Sequence, residues 1–332
     1  MEKSILKNEY KYTEHLKLAK GLIIDQATTE YRDKLDVGIS SRNFGKNWYI
    51  LPKGKAIFKT YDSYQKFENI KQIRIINELL CYELAKQVNI PCAEYELATN
   101  KNITGLVTYK ITDENEILVK GQDFLLFANG EAHNDMISYS RACKYYKELG
   151  FKLDRKKVML DLYKIAVFDA LTLQTDRHMN NICFIKNTKT NTIRLAPIID
   201  NELAFLADVC FEHFNSVNDI NEISLNNYLY LIGKYLRVKT PANGFMYIKD
   251  NIKYLVDLAK LNPKFKVELM QILKNYKVGN AIQILEQKGV EINDKYKEFL
   301  LLTKQTTLKL FVDQLSIKDQ LIDPYEYKEI IK

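Results

Sequence analysis

QTDRHMNNICF, residues Gln174 to Phe184, gathers an aspartate, an arginine, a histidine and two asparagines between one apolar run and another. Taken singly, each has a local use, because Asp, Asn and His side chains commonly bond nearby backbone groups and close a turn. The flanking segments give them a shared one. Upstream, Asp154 stands as an N-cap before RKKVMLDLYKIAVFDALTL, whose Val158, Leu162, Ile165, Phe168 and Leu171 recur at helical spacing. Downstream, ICFI and TIRLAPII read as two strands joined by the polar KNTKTN, and the second strand ends at Asp200. A helix delivers the chain into a polar loop and a hairpin returns it, so Asp176, Asn181 and Asp200 can present oxygens at one place. Carboxylate and amide oxygens suit a hard cation such as Mg2+, which is usually bridged to substrate phosphates. Asn181 and Asp200 fit as metal ligands, leaving Asp176 to orient an attacking hydroxyl and accept its proton.

Working outward, WYIL (Trp48 to Leu51), a turn at Pro52-Lys53-Gly54 and AIFKTY (Ala56 to Tyr61) form a predicted hairpin with Lys59 inside its second strand. KQIRIINELLCYELAKQVN follows as a helix, with Ile73, Ile76, Leu80, Leu84 and Val88 on one face and Pro91 marking the exit. YELAT and GLVTYKI, separated by Asn100-Lys101-Asn102, add two more strands. From Met136 the pattern turns helical, and apart from the hairpin just described everything beyond about Asp219 reads as helix. No repeat and no low-complexity linker breaks the chain.

Phosphoryl transfer asks for positioning more than covalent chemistry: a base, metal ligands, and a strand lysine for the nucleotide phosphates. Lys59, a helix carboxylate, Asp176, Asn181 and Asp200 occur in the order of a protein-kinase-like fold. The expected class is α+β and bilobal, with a small mixed α/β N-lobe over residues 1–108 and a large, mainly helical C-lobe over residues 109–332. For the carboxylate facing Lys59, steps of about 100° place Glu83 at the edge of the apolar arc and Glu78 opposite it. Periodicity therefore favours Glu83.

These motifs resemble the HipA-like kinases. The catalytic loop of that family, TD-x-H-x-x-N, is matched by TDRHMNN (Thr175 to Asn181), and its metal-binding LAP-x-x-D by LAPIID (Leu195 to Asp200). NELLCYELA (Asn77 to Ala85), followed by PCAEYEL, resembles the helix after the strand lysine. The resemblance spans roughly residues 38 to 206 and implies Asp176 as base, Asn181 and Asp200 as Mg2+ ligands, Lys59 on the phosphates and Glu78 as its partner. It also implies ATP and Mg2+ as cofactors, with adenine held near Val107 and Tyr109. The stretch GISSRNFGKNWYIL stands where relatives carry a glycine-rich phosphate loop; it keeps only Gly38 and Gly45 and sets Ser40 and Ser41 near the phosphates. The separate N-terminal domain of full-length members is not expected here. The implied activity is a toxin-type protein kinase acting on serine or threonine, with a component of translation as substrate and a small helix-turn-helix antitoxin as partner.

Asp176 to Ile182 also matches the DRH-x-x-N-I of phosphoinositide kinases, so a lipid or small-molecule kinase is the first alternative, although LAPIID favours the HipA-like branch. An inactive binding module is the second, opposed by the presence of Lys59, Asp176, Asn181 and Asp200 together. A Walker A loop is excluded, because Ser40 replaces its first glycine and Asn47 its Ser/Thr. His178 reads as the residue that holds the loop closed, while Arg177 stands either at a phosphate or on the surface.

Composition removes other classes. A net charge of +7, from 49 basic against 42 acidic residues spread along the chain, makes no basic stripe, and direct nucleic-acid binding is not expected. The 22 tyrosines and 15 phenylalanines sit mostly at helical spacing, as core residues do. No apolar run reaches the roughly 18 residues of a membrane span, and the N-terminus lacks the pattern of a signal peptide. Five scattered cysteines fit buried thiols in a reducing cytoplasm, not disulfides or zinc.

Overall fold

The structure, a computed structural model, describes residues 22–23, 29–31, 47–61, 68–206, 237–241 and 244–316. Ser40, Ser41, Cys210 and the expected helix through LNNYLYLIGKYL lie outside the described residues. The fold is mixed α/β, with eight α-helices among the described residues.

A six-stranded sheet comes first, with strand order β1-β5-β6-β4-β3-β2. Its strands are β1 (Leu22–Ile23), β2 (Thr29–Tyr31), β3 (Asn47–Leu51), β4 (Gly54–Lys59), β5 (Tyr95–Asn100) and β6 (Ile103–Tyr109). The two predicted hairpins are there, and β1 and β2 extend them from a stretch whose polar sequence gives little strand pattern. Gly54 turns the first hairpin at a φ of 127°, a conformation that side chains rarely adopt. Alternation divides the sheet's faces. Ala56, Phe58, Val107, Ala98 and Leu51 make a small cluster on one face. Leu97 and Leu106 join the main core on the other, beside helix α1 (Glu68–Gln87).

The chain then forms β7 (Glu116–Lys120), α2 (Gly121–Asn129), α3 (Met136–Glu148) and α4 (Arg155–Leu171). Asp154 caps α4 by accepting from Lys157 N at 3.0 Å, an interaction worth about 1 kcal/mol. Apolar spacing suggested one buried side, yet α4 is buried almost all round, from Val158 to Leu171 with the exception of Asp161. A helix so enclosed is the spine of its core. β8 (Cys183–Asn187) and β9 (Thr192–Leu195) form the predicted hairpin, except that β9 stops at Leu195 and leaves Asp200 on the irregular segment after it, and β7 joins as a third strand, antiparallel to β8.

Beyond residue 236 the expectation of helix alone is corrected. β10 (Arg237–Thr240) and β11 (Gly244–Tyr247) form an antiparallel hairpin before α5 (Ile248–Leu261), α6 (Pro263–Asn275), α7 (Val278–Gln287) and α8 (Asp294–Ser316). The signal was the turn sequence Pro241 to Gly244 between two short runs, with Gly244 at a φ of 71°. Strands of four residues are too short to show a period of two clearly. Among the described residues no helix is long and apolar enough to cross a membrane. The described cysteines are free thiols, buried at Cys81, Cys143 and Cys183 and half-buried at Cys92.

Candidate active site

Lys59 leaves β4 on the core-facing side of the sheet and ends in a ring of carboxylates. Its Nζ lies 2.9 Å from Glu78 Oε1, 2.7 Å from Asp200 Oδ1 and 2.6 Å from Glu202 Oε2. Burial alone would lower the pKa of the ammonium, but Asp200, Glu78 and Glu202 together hold it well above its ordinary value. The Asp200 side chain is about one-third exposed; partial desolvation would raise its carboxyl, yet Lys59 keeps it below the usual range. At Glu78 burial prevails over Lys59, and the carboxyl is pushed up to about 7. Glu83, the choice of periodicity, faces away: it pairs with Lys86 and with Lys288 at the end of α7. The helix presents a polar residue to the site because its inward face meets another polar segment and not sheet alone.

That segment is the polar run Asp200 to Glu202, flanked by core residues Ile199 and Ala204 to Leu206. Asn201 N donates to Glu78 Oε2 at 2.8 Å, Arg74 Nη1 to Glu202 Oε1 at 2.7 Å, and Asn77 Nδ2 to Ala204 O at 2.6 Å. One face of α1 thereby fixes the stretch after Asp200. Asp200 itself has a φ of 60°, a conformation uncommon outside glycine and found among other residues mainly at asparagine, aspartate and histidine. It is held there from two sides, its N–H donating to Tyr95 Oη and its carbonyl accepting from Gln174 Nε2, each at 3.2 Å. Such a strained residue persists only where its surroundings over-determine it.

Gln174 links the loop to Asp200, since its Oε1 also accepts from Asp176 N at 3.2 Å. Asn181 lies on a short 3-10 turn (Met179–Asn181) and donates from Nδ2 to Asp176 O at 2.8 Å, which leaves its side-chain carbonyl oxygen available to a cation. His178 caps that turn by accepting from Asn180 N at its Nδ1, 3.2 Å away. α2 begins hard against the loop. Gly121 N donates to Ile182 O at 2.7 Å, and a Cβ at Gly121 would stand 2.6 Å from Ile182 O and 2.7 Å from Met179 O.

Arg177 is neither on the surface nor free for a phosphate. It is fully buried and grips Asp169 of α4 through Nε and Nη2, while Nη1 donates to Ile199 O and Nη2 to Asn201 Oδ1, both at 2.6 Å. The loop, the α4 spine and the segment after β9 are thus joined through one guanidinium. Asp169 is nonetheless pushed up by its burial, against the pull of Arg177.

An apolar cavity beside the sheet is lined by Trp48, Ile57, Thr108, Tyr109, Leu118 and Ile199, among others. Val107 does not line it, because the register that sets Ile57 opposite Thr108 sets Val107 opposite Phe58 on the other face. Tyr109 borders the cavity, but its hydroxyl turns outward and donates to Glu96 Oε2 at 2.7 Å. Strand alternation decides between neighbours here, and a range of residues read from fold order does not resolve it.

Gln174, Arg74, Glu202 and Lys239 were not singled out in the sequence. Gln174 and Glu202 stand beside assigned residues and could have been read as their supports. Lys239 carries no local signal. Its Nζ lies 2.6 Å from Asp176 Oδ1 although the two are 63 residues apart.

A model of the HipA-like C-terminal domain matches residues 31–210. No curated protein sequence matches the chain. Among solved structures the fold is similar to that of the Helicobacter pylori proinflammatory kinase CtkA, with a TM-score of 0.60 at 14% identity over 90% of this chain and 99% of that one. HipA of Shewanella oneidensis MR-1, from its toxin–antitoxin complex with HipB and operator DNA, aligns with a TM-score of 0.48 at 13% identity over 86% of this chain and 68% of that one. With the matched domain running from before the strand lysine to beyond Asp200, and covering more than half of its length, the chain belongs to the HipA-like kinase family.

Proposed function

We propose that the protein is an ATP- and Mg2+-dependent kinase that transfers the γ-phosphoryl group to a serine or threonine hydroxyl of a protein. The observation that carries this reading is that hydrogen bonds tie together the Lys59–Glu78 pair, Asp200 and the loop bearing Asp176 and Asn181. Asn181 offers an amide oxygen and Asp200 a carboxylate, a donor set that fits a hard cation. Mg2+, when bound, would neutralise charge on the phosphates. Lys59, shared among three carboxylates, is the cation for which nucleotide phosphates would compete. The apolar cavity between Trp48, Ile57 and Ile199 would take the adenine.

Asp176, with its side chain about one-third exposed, holds the substrate hydroxyl by accepting its hydrogen bond. During transfer the hydroxyl oxygen bonds to the γ-phosphorus and the bond to the bridging oxygen of ADP breaks. The hydroxyl proton passes to the Asp176 carboxylate and then to solvent. In the same reading residues 1–108 make a small lobe and residues 109–332 a large one, with the nucleotide between them. The end of the six-stranded sheet at Tyr109 supports that boundary. Family membership supports a toxin-type role, a translation component as substrate and a small helix-turn-helix antitoxin as partner.

The test is phosphate transfer from radiolabelled ATP by the full chain, offered proteins of a cell lysate, inositol lipids and small metabolites in separate reactions. Label on serine or threonine of protein, lost in Asp176→Asn, is the expected result. Label on lipid or metabolite alone would replace the substrate class, and no ATP binding at all would sink the reading.

A further inference from the structure

Lys239 reaches the candidate base from outside the catalytic loop. Its Nζ lies 2.6 Å from Asp176 Oδ1, and 46% of its side chain is exposed. A solvated pair of this kind is ordinarily worth about 0–1 kcal/mol and carries no message. Two observations set it apart. The first is that the backbone is docked as well: Lys239 N donates to Thr175 O at 3.3 Å, and Asp176 and Lys239 form a parallel β-bridge. The next residue, Thr240, is fully buried, and Ile248, which opens α5 after the hairpin, is too. Paired backbone therefore delivers this side chain to the loop, as expected of a group held in place for a task.

The second observation concerns the other cations of the site. Lys59 is shared among Glu78, Asp200 and Glu202, and Arg177 is spent on Asp169, Ile199 and Asn201. Phosphoryl transfer needs positive charge on the moving group itself. That group must pass within hydrogen-bond reach of the hydroxyl held by Asp176, and Lys239 already stands at the same carboxylate.

We infer that Lys239 is the cation that holds the transferring phosphoryl group, its ion pair with Asp176 being the resting form of that contact. The inference rests on the kinase reading and deepens it. Charge follows a consistent course through the step described above. As Asp176 takes up the hydroxyl proton it becomes neutral, and the Lys239 ammonium is left to the phosphoryl oxygens; Lys239 itself neither gives nor receives a proton.

Calorimetry on the full chain gives the first readout, comparing Mg-ATP with Mg-ADP in wild type, Lys239→Met, Lys239→Gln and Lys239→Arg. Wild type should favour ATP over ADP by about tenfold, the worth of one charge-assisted hydrogen bond to the terminal phosphate. Both neutral variants should bring the two affinities level, and Lys239→Arg should retain the preference. Turnover is the second readout: kcat should fall by ~10²-fold in the neutral variants with the KM for the phosphate-accepting protein little changed, and recover in part in Lys239→Arg. The neutral Gln variant guards against misfolding of the Met variant, and circular dichroism checks both. If wild type binds and consumes ATP while both neutral variants keep its ATP preference and its kcat, the inference is overturned and the kinase reading stands. If wild type binds no ATP, both fall.

Discussion

Lys59 Nζ stands 2.9 Å from Glu78 Oε1, and both side chains are closed to solvent. Two further carboxylates, Asp200 and Glu202, touch the same ammonium, so even with Arg74 on Glu202 the cluster holds more negative charge than its cations offset. Such a cluster is stable only while the cation is present. Lys59→Met should therefore destabilise the nucleotide-free protein by about 3–5 kcal/mol, whereas Glu78→Gln, which removes one of the excess charges, should cost far less. Urea titrations at pH 7 without divalent cations measure both. Equal losses would mean that the cluster is not charge-limited.

The same carboxyl sets a pH dependence. Glu78 is raised to about 7 in the folded protein from an ordinary value near 4.5, so between those values the folded state binds a proton that the unfolded state does not. Stability from this group is present below the unfolded value and is lost as pH rises through 7. Between pH 5 and pH 8 wild type should lose more stability than Glu78→Gln, again measured without divalent cations. Parallel curves would rule out the raised value.

Arg177 predicts a different failure. Its guanidinium is buried against Asp169, Ile199 O and Asn201, so Arg177→Met would leave a buried carboxylate and a carbonyl without donors. The expected cost is about 3–5 kcal/mol, and Arg177→Lys should rescue little, because an ammonium cannot reproduce the planar fork. Were Arg177 a substrate ligand instead, both variants would keep wild-type stability and lose only substrate affinity. Thermal denaturation alongside nucleotide binding separates the two.

Gly121 tests how tightly the loop is clamped. A Cβ there would meet the carbonyls of Ile182 and Met179, which bracket Asn181, and both are backbone atoms that cannot swing aside. Gly121→Ala should cost about 1–3 kcal/mol and weaken Mg2+-dependent nucleotide binding, while Ala at the open Gly279 should be harmless to both. Unchanged binding in Gly121→Ala would show that the turn can shift without moving the Asn181 oxygen.

What the sequence could and could not reveal follows from range. The α4 cap at Asp154, the two hairpins and the order of Lys59, Asp176, Asn181 and Asp200 are carried by local patterns, and each is visible in the chain as written. The choice of Glu78 over Glu83 depends on what α1 packs against, and periodicity cannot see that the facing segment carries the polar run Asp200 to Glu202, hydrogen-bonded to α1. Val107 was separated from Thr108 only by register. Arg177 looked like a loop residue because its partners, Asp169 and Asn201, come from two other elements. Lys239 was beyond reach altogether, since nothing near it in sequence hints at Asp176.

Glu83, turned away from the site, makes a prediction of its own. Burial would raise its carboxyl, but hydrogen bonds from Lys288 and Lys86 reverse this and hold it below the ordinary carboxylate value. Lys288 follows α7, so the pair ties α1 to the helical part of the chain over a separation of 205 residues. A carboxyl depressed by folding contributes stability above its unfolded value near 4.5, and that contribution is lost as pH falls through the folded value. Lys288 is half exposed, and solvent screening limits its share to about 1 kcal/mol. Lys288→Met should therefore be less stable than wild type at pH 7 by that amount, with the gap narrowing below pH 4. Salt should narrow it only slightly, because the carboxylate end of the pair is buried. Denaturant titrations at pH 7 and pH 3.5 decide the matter: a gap that persists undiminished in acid would mean that Lys288 acts by packing its methylene chain on α1, and not through the charge of Glu83.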